Sequence, residues 1–465
     1  MGMKTLRFRG VLCCIMASAL LFTGLVCGGG LSTLAAVESV NGSDSLVRTS
    51  LTEIKNVLTS ISYTDYLAMY ESSGRPDETV DIDIFGNING DETNITYQVV
   101  DGAEYGKDGK VLLIGDDGKI SFNINIKTAG FYNILVEYYT GNISVYDADG
   151  NLATVGKNAS IERMVMIDGK VPFKEARSIS FSRAWADSYP ELDGDYKVVK
   201  TDGNKTYYDS TSTKFFESVA NGDRIFQRDN NGNEMKPEKT IVGIWYTKRL
   251  FDSSGYSNAP LMFHFENGEH VISLNTVREP FAVKSIKLVP IAETISYEEY
   301  LAEHKNAKDY SGDDIIIQAE YPSLASDRTL YQLNDRTSVI SQPQDSALIR
   351  LNSIGGDKWT YVGQWIEYTF EAPEDGFYYV VPRSIQNVTS GKYVSRKIYI
   401  NGEVPFTEAN YTRFDFSDTW KTDALNDGTT EFKFFLNKGI NTIRLEVALG
   451  DLAGLLSTIE TSLNT

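Results

Sequence analysis

The fold of this chain can be predicted from the segment Trp359-Thr-Tyr-Val-Gly-Gln-Trp-Ile-Glu-Tyr-Thr-Phe-Glu-Ala-Pro-Glu-Asp-Gly-Phe-Tyr378. Between Ile366 and Ala372, apolar residues occupy every second position and polar residues lie between them. This alternation predicts a strand with one buried face and one solvent-exposed face. The sequence from Pro373 to Gly376 is typical of a turn, and the apolar run from Phe377 to Val381 predicts a second strand. We therefore predict a β-hairpin, with an aromatic loop from Trp359 to Trp365 in front of it.

Four blocks of sequence occur twice along the chain, in the same order. Such collinear blocks identify an internal duplication, and a period of about 230 residues is too long for a solenoid, so it indicates two copies of one domain. A tryptophan follows the third block in each copy, at Trp185 and Trp420. The matched blocks are Ser62–Ala68 with Ser296–Ala302, Ile120–Tyr132 with Ile366–Tyr378, Arg163–Ala176 with Arg396–Ala409, and Gly268–Leu274 with Gly439–Leu445.

Most of each copy has the pattern of short strands separated by turns. Asp168-Gly169 and Asn401-Gly402 lie between apolar runs and are strong hairpin signals. Helical patterns occur mainly where each copy begins, with Ser62 and Ser296 placed to cap a helix. We predict a mainly β protein with two antiparallel β-sandwich (jelly-roll) domains in tandem, each preceded by a short helix.

The first 36 residues have the features of a secretion signal. A basic start is followed by an apolar stretch, and Ala35-Ala36 offers a cleavage site. We predict a signal helix that is either cleaved or kept as a membrane anchor, and therefore a secreted or cell-surface protein. The predicted segments are 1–36 (signal peptide or signal anchor), 37–61 (spacer), 62–292 (first sandwich, with a long insertion at about 186–262) and 296–460 (second sandwich).

Composition limits the classes of partner. The formal net charge is −19, and removal of the three positive residues of the signal leaves 63 acidic against 41 basic residues. Binding to nucleic acid or to an anionic membrane surface needs clustered lysine and arginine, so we expect neither, and membrane contact only through an uncleaved anchor. Neutral ligands such as sugars are compatible with this charge. All three cysteines lie in the signal, so the mature chain would have no disulfide.

The segment Gly363–Tyr378 resembles the central hairpin of galactose-binding-like jelly rolls, above all carbohydrate-binding module families 6 and 35. This resemblance implies that an oligo- or polysaccharide is the ligand. The segment Ile317–Tyr321 is similar to the first strand of those modules, where Gln318 and Glu320 would help to hold a structural calcium ion. The first copy has Ile84-Phe-Gly86 at that place, which removes the calcium-binding side chains there.

The paired helices and the Val-Pro-Phe motif of each copy also resemble the N-terminal region of large extracellular solute-binding proteins of Gram-positive bacteria. The resemblance implies a sugar-uptake role, with a transporter or a further C-terminal domain as partner. No α/β binding lobe follows the second sandwich in this sequence, so we expect either a fragment of a longer protein or modules that act alone.

Aromatic and polar residues at one predicted loop end of the second copy are the candidates for sugar binding. Saccharides stack on exposed rings, and polar side chains form hydrogen bonds with the hydroxyl groups of the sugar. Packing inside the sandwich is the alternative role for each ring, and it is the role that we predict for Trp365 and Tyr368. The predicted ligand-binding residues are Trp359, Tyr361, Arg383, Gln386, Asn387 and Trp420.

The sequence offers no constellation typical of an enzyme. It has three histidines, no nucleophile elbow of the Gly-x-Ser-x-Gly type and no zinc motif. We therefore predict a non-catalytic binding protein. The alternative is a structural or protein-interaction scaffold without glycan binding, in which the repeated Val-Pro-Phe motif would pack one copy on the other.

Overall fold

The computed structural model describes residues 61–188, 198–202, 205–208, 226, 229–388 and 390–463. The predicted signal and nearly all of the predicted spacer lie outside the described residues. The described residues from Ser62 onward belong to one compact unit. Its α-helices are α1 (Tyr63–Met69), α2 (Tyr297–Glu303) and α3 (Leu452–Leu463). Within the described ranges, no helix has both the length and the apolar character to cross a bilayer.

The first copy is a two-layered antiparallel sandwich, as predicted. One layer has the strand order β14-β5-β17-β3-β2, with β1 added to β17 and β15 to β5, and the other has the order β4-β16-β8-β9. A small hairpin, β6–β7, belongs to neither layer. The strands are β1 (Val80–Ile82), β2 (Tyr97–Asp101), β3 (Lys110–Ile114), β4 (Lys119–Ile126), β5 (Gly130–Tyr139), β6 (Ser144–Tyr146), β7 (Leu152–Val155), β8 (Ile161–Ile167), β9 (Ile179–Phe181), β14 (Trp245–Arg249), β15 (Met262–Phe265), β16 (Gly268–Arg278) and β17 (Phe281–Val289).

The long insertion of the first copy contributes strands to the second. One of its strands, β14, belongs to the first copy's own layer, and the others are β10 (Trp185–Ser188), β11 (Val198–Asp202), β12 (Lys205–Tyr208) and β13 (Glu238–Ile241). β10 pairs with β13 and also with β18 (Leu324–Ala325) of the second copy. Backbone hydrogen bonding therefore continues from one copy into the other, and the two predicted domains share a sheet.

The second copy has one continuous layer and one divided layer. The continuous layer follows the order β13-β10-β18-β21-β28-β24-β25, and the other consists of the pairs β22–β27, β23–β26 and β19–β20. Its strands are β19 (Gln332–Leu333), β20 (Ser353–Ile354), β21 (Trp365–Ala372), β22 (Gly376–Tyr379), β23 (Arg383–Ser384), β24 (Tyr393–Ile400), β25 (Thr412–Asp415), β26 (Lys421–Thr422), β27 (Lys433–Leu436) and β28 (Gly439–Ala448). The mainly β, antiparallel class is confirmed.

The two strands predicted to form a hairpin are present, but the prediction that they pair with each other is wrong. β21 pairs with β18 and β28, whereas β22 pairs with β27. The turn from Pro373 to Gly376 therefore connects one layer to the other. Turn composition and strand alternation predict a reversal of the chain, but they do not distinguish pairing within a sheet from a crossing between sheets.

The face of β21 that was predicted to be solvent-exposed is buried. Glu367 is 7% exposed and Thr369 is 5% exposed. Trp365, which we predicted inside the second sandwich, packs instead beside Ala186 and Val242 of the first copy. The alternation of β21 is real, but the first copy covers the polar face. One face lines the core of the second sandwich, and the other lines the junction between the copies.

The helices that precede the copies make the same contacts in each. The hydroxyl of Tyr63 accepts a hydrogen bond from the backbone N–H of Met262 at 2.9 Å, and that of Tyr297 accepts one from Lys433 at 2.8 Å. The phenylalanine of the Val-Pro-Phe motif packs on the same helix: Phe406 lies 4.7 Å from Tyr297 between ring centroids. The motif therefore serves the core of its own copy, and the suggestion that it docks one copy on the other is wrong.

The copies differ where each ends. A residue with positive φ follows the last matched strand in both, Glu279 at 70° and Gly450 at 59°. The first copy then continues into β17, the middle strand of its layer, whereas the second continues into α3. Apolar residues of α3 recur with helical spacing at Leu452, Leu455 and Ile459, and all three are exposed.

Candidate ligand-binding site

Arg383 and Trp420, which lie far apart in sequence, meet on one face of the β23–β26 pair. Arg383 pairs with Thr422 and Ser384 with Lys421, so the next position of the ladder brings Trp420 to the same face as Arg383. The guanidinium carbon of Arg383 lies 5.6 Å from the centroid of the Trp420 ring. This distance is within the range of a cation–π contact. The structure thus brings together two of the predicted ligand-binding residues.

A polar loop after β19 completes this cluster. The indole N–H of Trp420 donates to Asp335 Oδ1 at 3.0 Å and lies 3.1 Å from Thr337 Oγ1. Arg383 donates to the hydroxyl of Ser338. The same carboxylate oxygen of Asp335 accepts the backbone N–H of Thr337 at 3.0 Å, which fixes the loop. We call Arg383, Trp420, Asp335, Thr337 and Ser338 the Trp420 cluster.

The loop residues of the Trp420 cluster were not among the ligand-binding residues predicted from the sequence. Their signal is the run Asn334-Asp-Arg-Thr-Ser338, a polar turn rich in side-chain acceptors. Such a run is common at ordinary turns. Only the pairing of β19 with β20 and the position of β26 place it against the indole ring.

Gln386 and Asn387 do not join the Trp420 cluster. Gln386 Nε2 donates to the carbonyl of Lys392 at 3.2 Å, and its Oε1 accepts the N–H of Val388 at 3.0 Å. Together with Ser384 it lines a shallow pocket on the opposite face of β23, between the two layers. Asn387 is exposed beyond that strand.

The aromatic loop in front of β21 holds one covered and one exposed ring. Trp359 lies 4.2 Å from the guanidinium carbon of Arg396, and its indole N–H donates to the carbonyl of Gln364 at 3.2 Å. Burial lowers the pKa of Arg396 to about 10. Tyr361 is 73% exposed. Among the described residues, no hydrogen bond or ring contact joins either ring to Trp420.

The first copy shows what the contact between Arg396 and Trp359 does. Arg163 occupies the place of Arg396 in the matched blocks, and its guanidinium carbon lies 5.0 Å from the ring of Phe281 in β17. Among its described residues, the second copy has no counterpart of β17, and Trp359 supplies the ring that covers the half-buried Arg396. One face of Trp359 is therefore occupied by packing, and Tyr361 is the more exposed ring of this loop.

The predicted calcium residues lie before β18, with Glu320 in a turn and Gln318 in irregular backbone rather than in the predicted strand. The side chain of Glu320 is 2% exposed, and its Oε1 has no hydrogen-bond partner in the described part of the chain. Burial, reinforced by the charge of Glu234, raises the pKa of Glu320 to about 8. Gln332, whose Nε2 donates to the backbone carbonyl of Glu320 at 2.9 Å, also has an unpartnered Oε1 within the described residues.

These two acceptor oxygens are of the kind that a calcium ion takes. Gln318 is only half-buried. The described ranges contain no group of three or more histidine, cysteine, aspartate or glutamate side chains arranged for a metal. Glu320 and Gln332 are therefore the side chains that fit a calcium ion best, with further ligands to come from backbone carbonyls or water. Calcium binding stays a prediction.

No protein-family model and no curated protein matches the chain. Among solved structures, the catalytic domain of a GH87 alpha-1,3-glucanase in complex with nigerose matches with 10% identity and a TM-score of 0.23, covering 50% of this chain and 34% of that chain. A Paenibacillus sp. cycloisomaltooligosaccharide glucanotransferase complexed with cycloisomaltoheptaose matches with 7% identity and a TM-score of 0.22, covering 83% and 50%. The ANX2 ectodomain from Arabidopsis thaliana matches with 7% identity and a TM-score of 0.19, covering 80% and 89%.

This chain spans about a third of the glucanase structure that it matches. Carbohydrate-processing proteins are thus among its structural neighbours. At TM-scores this low, the likeness carries no conclusion about what this chain binds or does.

Proposed function

We propose that this protein is a secreted, non-catalytic carbohydrate-binding protein whose second sandwich binds a saccharide at the Trp420 cluster. The observation that supports this proposal is that an indole ring, a guanidinium and a carboxylate with two hydroxyl side chains meet on one face of the β23–β26 pair. The ring offers a surface for the C–H face of a sugar, and the polar groups offer donors and acceptors for its hydroxyls. Tyr361, the exposed ring of the loop before β21, is the other ring of the second copy that we assign to ligand binding.

The resemblance to extracellular solute-binding proteins supports a place in a sugar-uptake system. In that role the two sandwiches would face the cell exterior and hold polysaccharide close to a transporter. The shared sheet and the buried junction between the copies suit this role, because they hold both copies in a fixed relation.

Affinity electrophoresis in gels containing soluble starch, dextran, xylan or galactan tests the proposal. We expect retardation of the wild type in at least one gel, and a loss of affinity of about 10-fold or more for Trp420→Ala, since a stacking contact of about 1.4 kcal/mol corresponds to a factor of ten. Tyr379→Ala, which removes another exposed ring of the second sandwich, is the matched control and should migrate as the wild type does. No retardation of the wild type in any gel would leave the scaffold function as the better description.

A further inference from the structure

Trp245 of the first copy is the structural counterpart of Trp420. In the ladder between β14 and β5, Trp245 pairs with Tyr139. The matched blocks align Tyr139 with Ile385, which is the residue opposite Trp420 when the β23–β26 ladder is continued by one position. The sequence alignment had matched Trp420 with Trp185 instead. Trp185 lies in β10, buried and paired with Ala325, so that match is wrong.

Both tryptophans are held in the same way. The indole N–H of Trp245 donates to the backbone carbonyl of Tyr105 at 2.9 Å, and Tyr105 lies in the turn that follows β2. The partners of Trp420 lie in the loop that follows β19, which pairs with β20 as β2 pairs with β3. A cation lies over each ring: Lys107 Nζ is 5.9 Å from the centroid of Trp245, as the guanidinium of Arg383 is 5.6 Å from that of Trp420.

The surroundings of Trp245 are richer in aromatic rings than those of Trp420. Tyr139 lies 5.3 Å from Trp245 and 5.3 Å from Tyr105, and all three rings are half-buried. Lys107 forms an ion pair with Glu137, so a cation and a carboxylate flank the rings. The rings pack on one side against the small core under the β6–β7 hairpin, which fixes their orientation.

The arrangement is not explained by shared core packing alone. The loops after β2 and β19 differ in sequence, and the cation comes from a loop lysine in one copy and from a strand arginine in the other. The indole, its anchored N–H and the cation above it nevertheless occur in both. Different residues that reproduce one constellation at one place in the fold indicate a common task.

We propose that the first sandwich carries a second carbohydrate-binding site, built from Trp245, Tyr105 and Tyr139 with Lys107 and Glu137 at its edge. This proposal rests on the proposed function of the Trp420 cluster. The protein then has two equivalent sites on one rigid frame, one in each copy. Its ligand would be a polysaccharide chain, because two sites that engage one polymer gain affinity through a high effective concentration, which a monosaccharide cannot provide.

Fluorine NMR of the wild-type protein labelled with 5-fluorotryptophan tests the second site in the unaltered chain, and variants serve only to assign the resonances. The chain has five tryptophans, whose resonances are assigned by single Trp→Phe replacements. The probe is the short oligosaccharide series of whichever polysaccharide retards the protein in affinity gels. We expect the resonances of Trp245 and Trp420 to shift with saturation, while those of Trp185 and Trp365, buried at the junction, stay in place.

Titration calorimetry with the same oligosaccharide supplies the stoichiometry. We expect about two molecules bound per chain for the wild type, about one for Trp245→Ala or Trp420→Ala, and none for the double variant. A shift of Trp420 alone, with one molecule bound, would overturn the second site and leave the proposed function standing. A shift of Trp245 alone would contradict the Trp420 cluster instead, and no shift at either tryptophan would contradict both.

Discussion

Replacement of Arg444 by alanine is expected to lower the free energy of unfolding by about 3–5 kcal/mol, the cost of leaving a buried charge without its partner. Arg444 Nη2 lies 2.7 Å from Glu367 Oε2 and 3.0 Å from the hydroxyl of Tyr246, which belongs to the first copy. Its guanidinium carbon lies 3.9 Å from the ring of Trp365. Burial alone would lower the pKa of Arg444, but Glu367 and Tyr246 raise it overall, so the arginine stays charged.

Chemical denaturation followed by tryptophan fluorescence measures this loss. Arg75→Ala is the matched control, because Arg75 forms an exposed ion pair with Glu293 at 3.2 Å, and exposed pairs contribute at most about 1 kcal/mol. The double variant Arg444→Met/Glu367→Leu should recover part of the loss, since it removes both charges together. Equal losses for Arg444→Ala and Arg75→Ala would show that the junction between the copies is not buried as described.

Glu320 is expected to make stability depend on pH in calcium-free buffer. Its pKa is raised by burial from 4.5 to about 8, so between these values the folded protein holds a proton that the unfolded chain releases. Stability from this group is therefore fully present below about pH 4.5 and is lost as the pH rises towards about 8, by at most about 1.4 kcal/mol per pH unit. Glu320→Gln keeps a neutral side chain of the same shape and should remove this dependence.

Thermal unfolding between pH 5 and 8 measures the effect, with the exposed Glu303→Gln as control. If the unpartnered Oε1 of Glu320 faces a calcium site, millimolar calcium at pH 8 should raise the melting temperature of the wild type but not that of Glu320→Gln. Equal pH slopes in wild type and Glu320→Gln would contradict the buried acid. A wild type indifferent to calcium would contradict the calcium prediction.

Helices and turns inside each copy could be predicted from the sequence, because their sequence signals occur in both copies. The matched helices predicted α1 and α2, and the Asp168-Gly169 and Asn401-Gly402 pairs predicted turns whose residues all have positive φ. These features depend on local chemistry: a capping hydroxyl, a residue that tolerates left-handed backbone, an apolar residue at every second position. Each of these features depends only on residues that are close in sequence, so a single sequence is enough to predict it.

The candidate sites were only partly predictable. Arg383 and Trp420 were both singled out, but the sequence offered no reason to join them to Asp335 or to separate them from Gln386. Side chains on opposite faces of one short strand differ in position by one residue, and without the strand bounds their faces cannot be assigned. Trp245 lies in the insertion and was not among the predicted binding residues, because the repeated blocks matched Trp420 with Trp185.

The order of residues alone shows that this protein is a duplicated, mainly β chain with a helix before each copy, since periodicity and repeated blocks are properties of that order. The folded chain was needed to show that the polar face of β21 is buried, that Trp365 lies between the copies and that Trp245 is equivalent to Trp420. These facts depend on which strands pair across long distances in the chain. A strand's alternation shows that it has two different faces, but what covers each face is set by partners that are distant in the sequence.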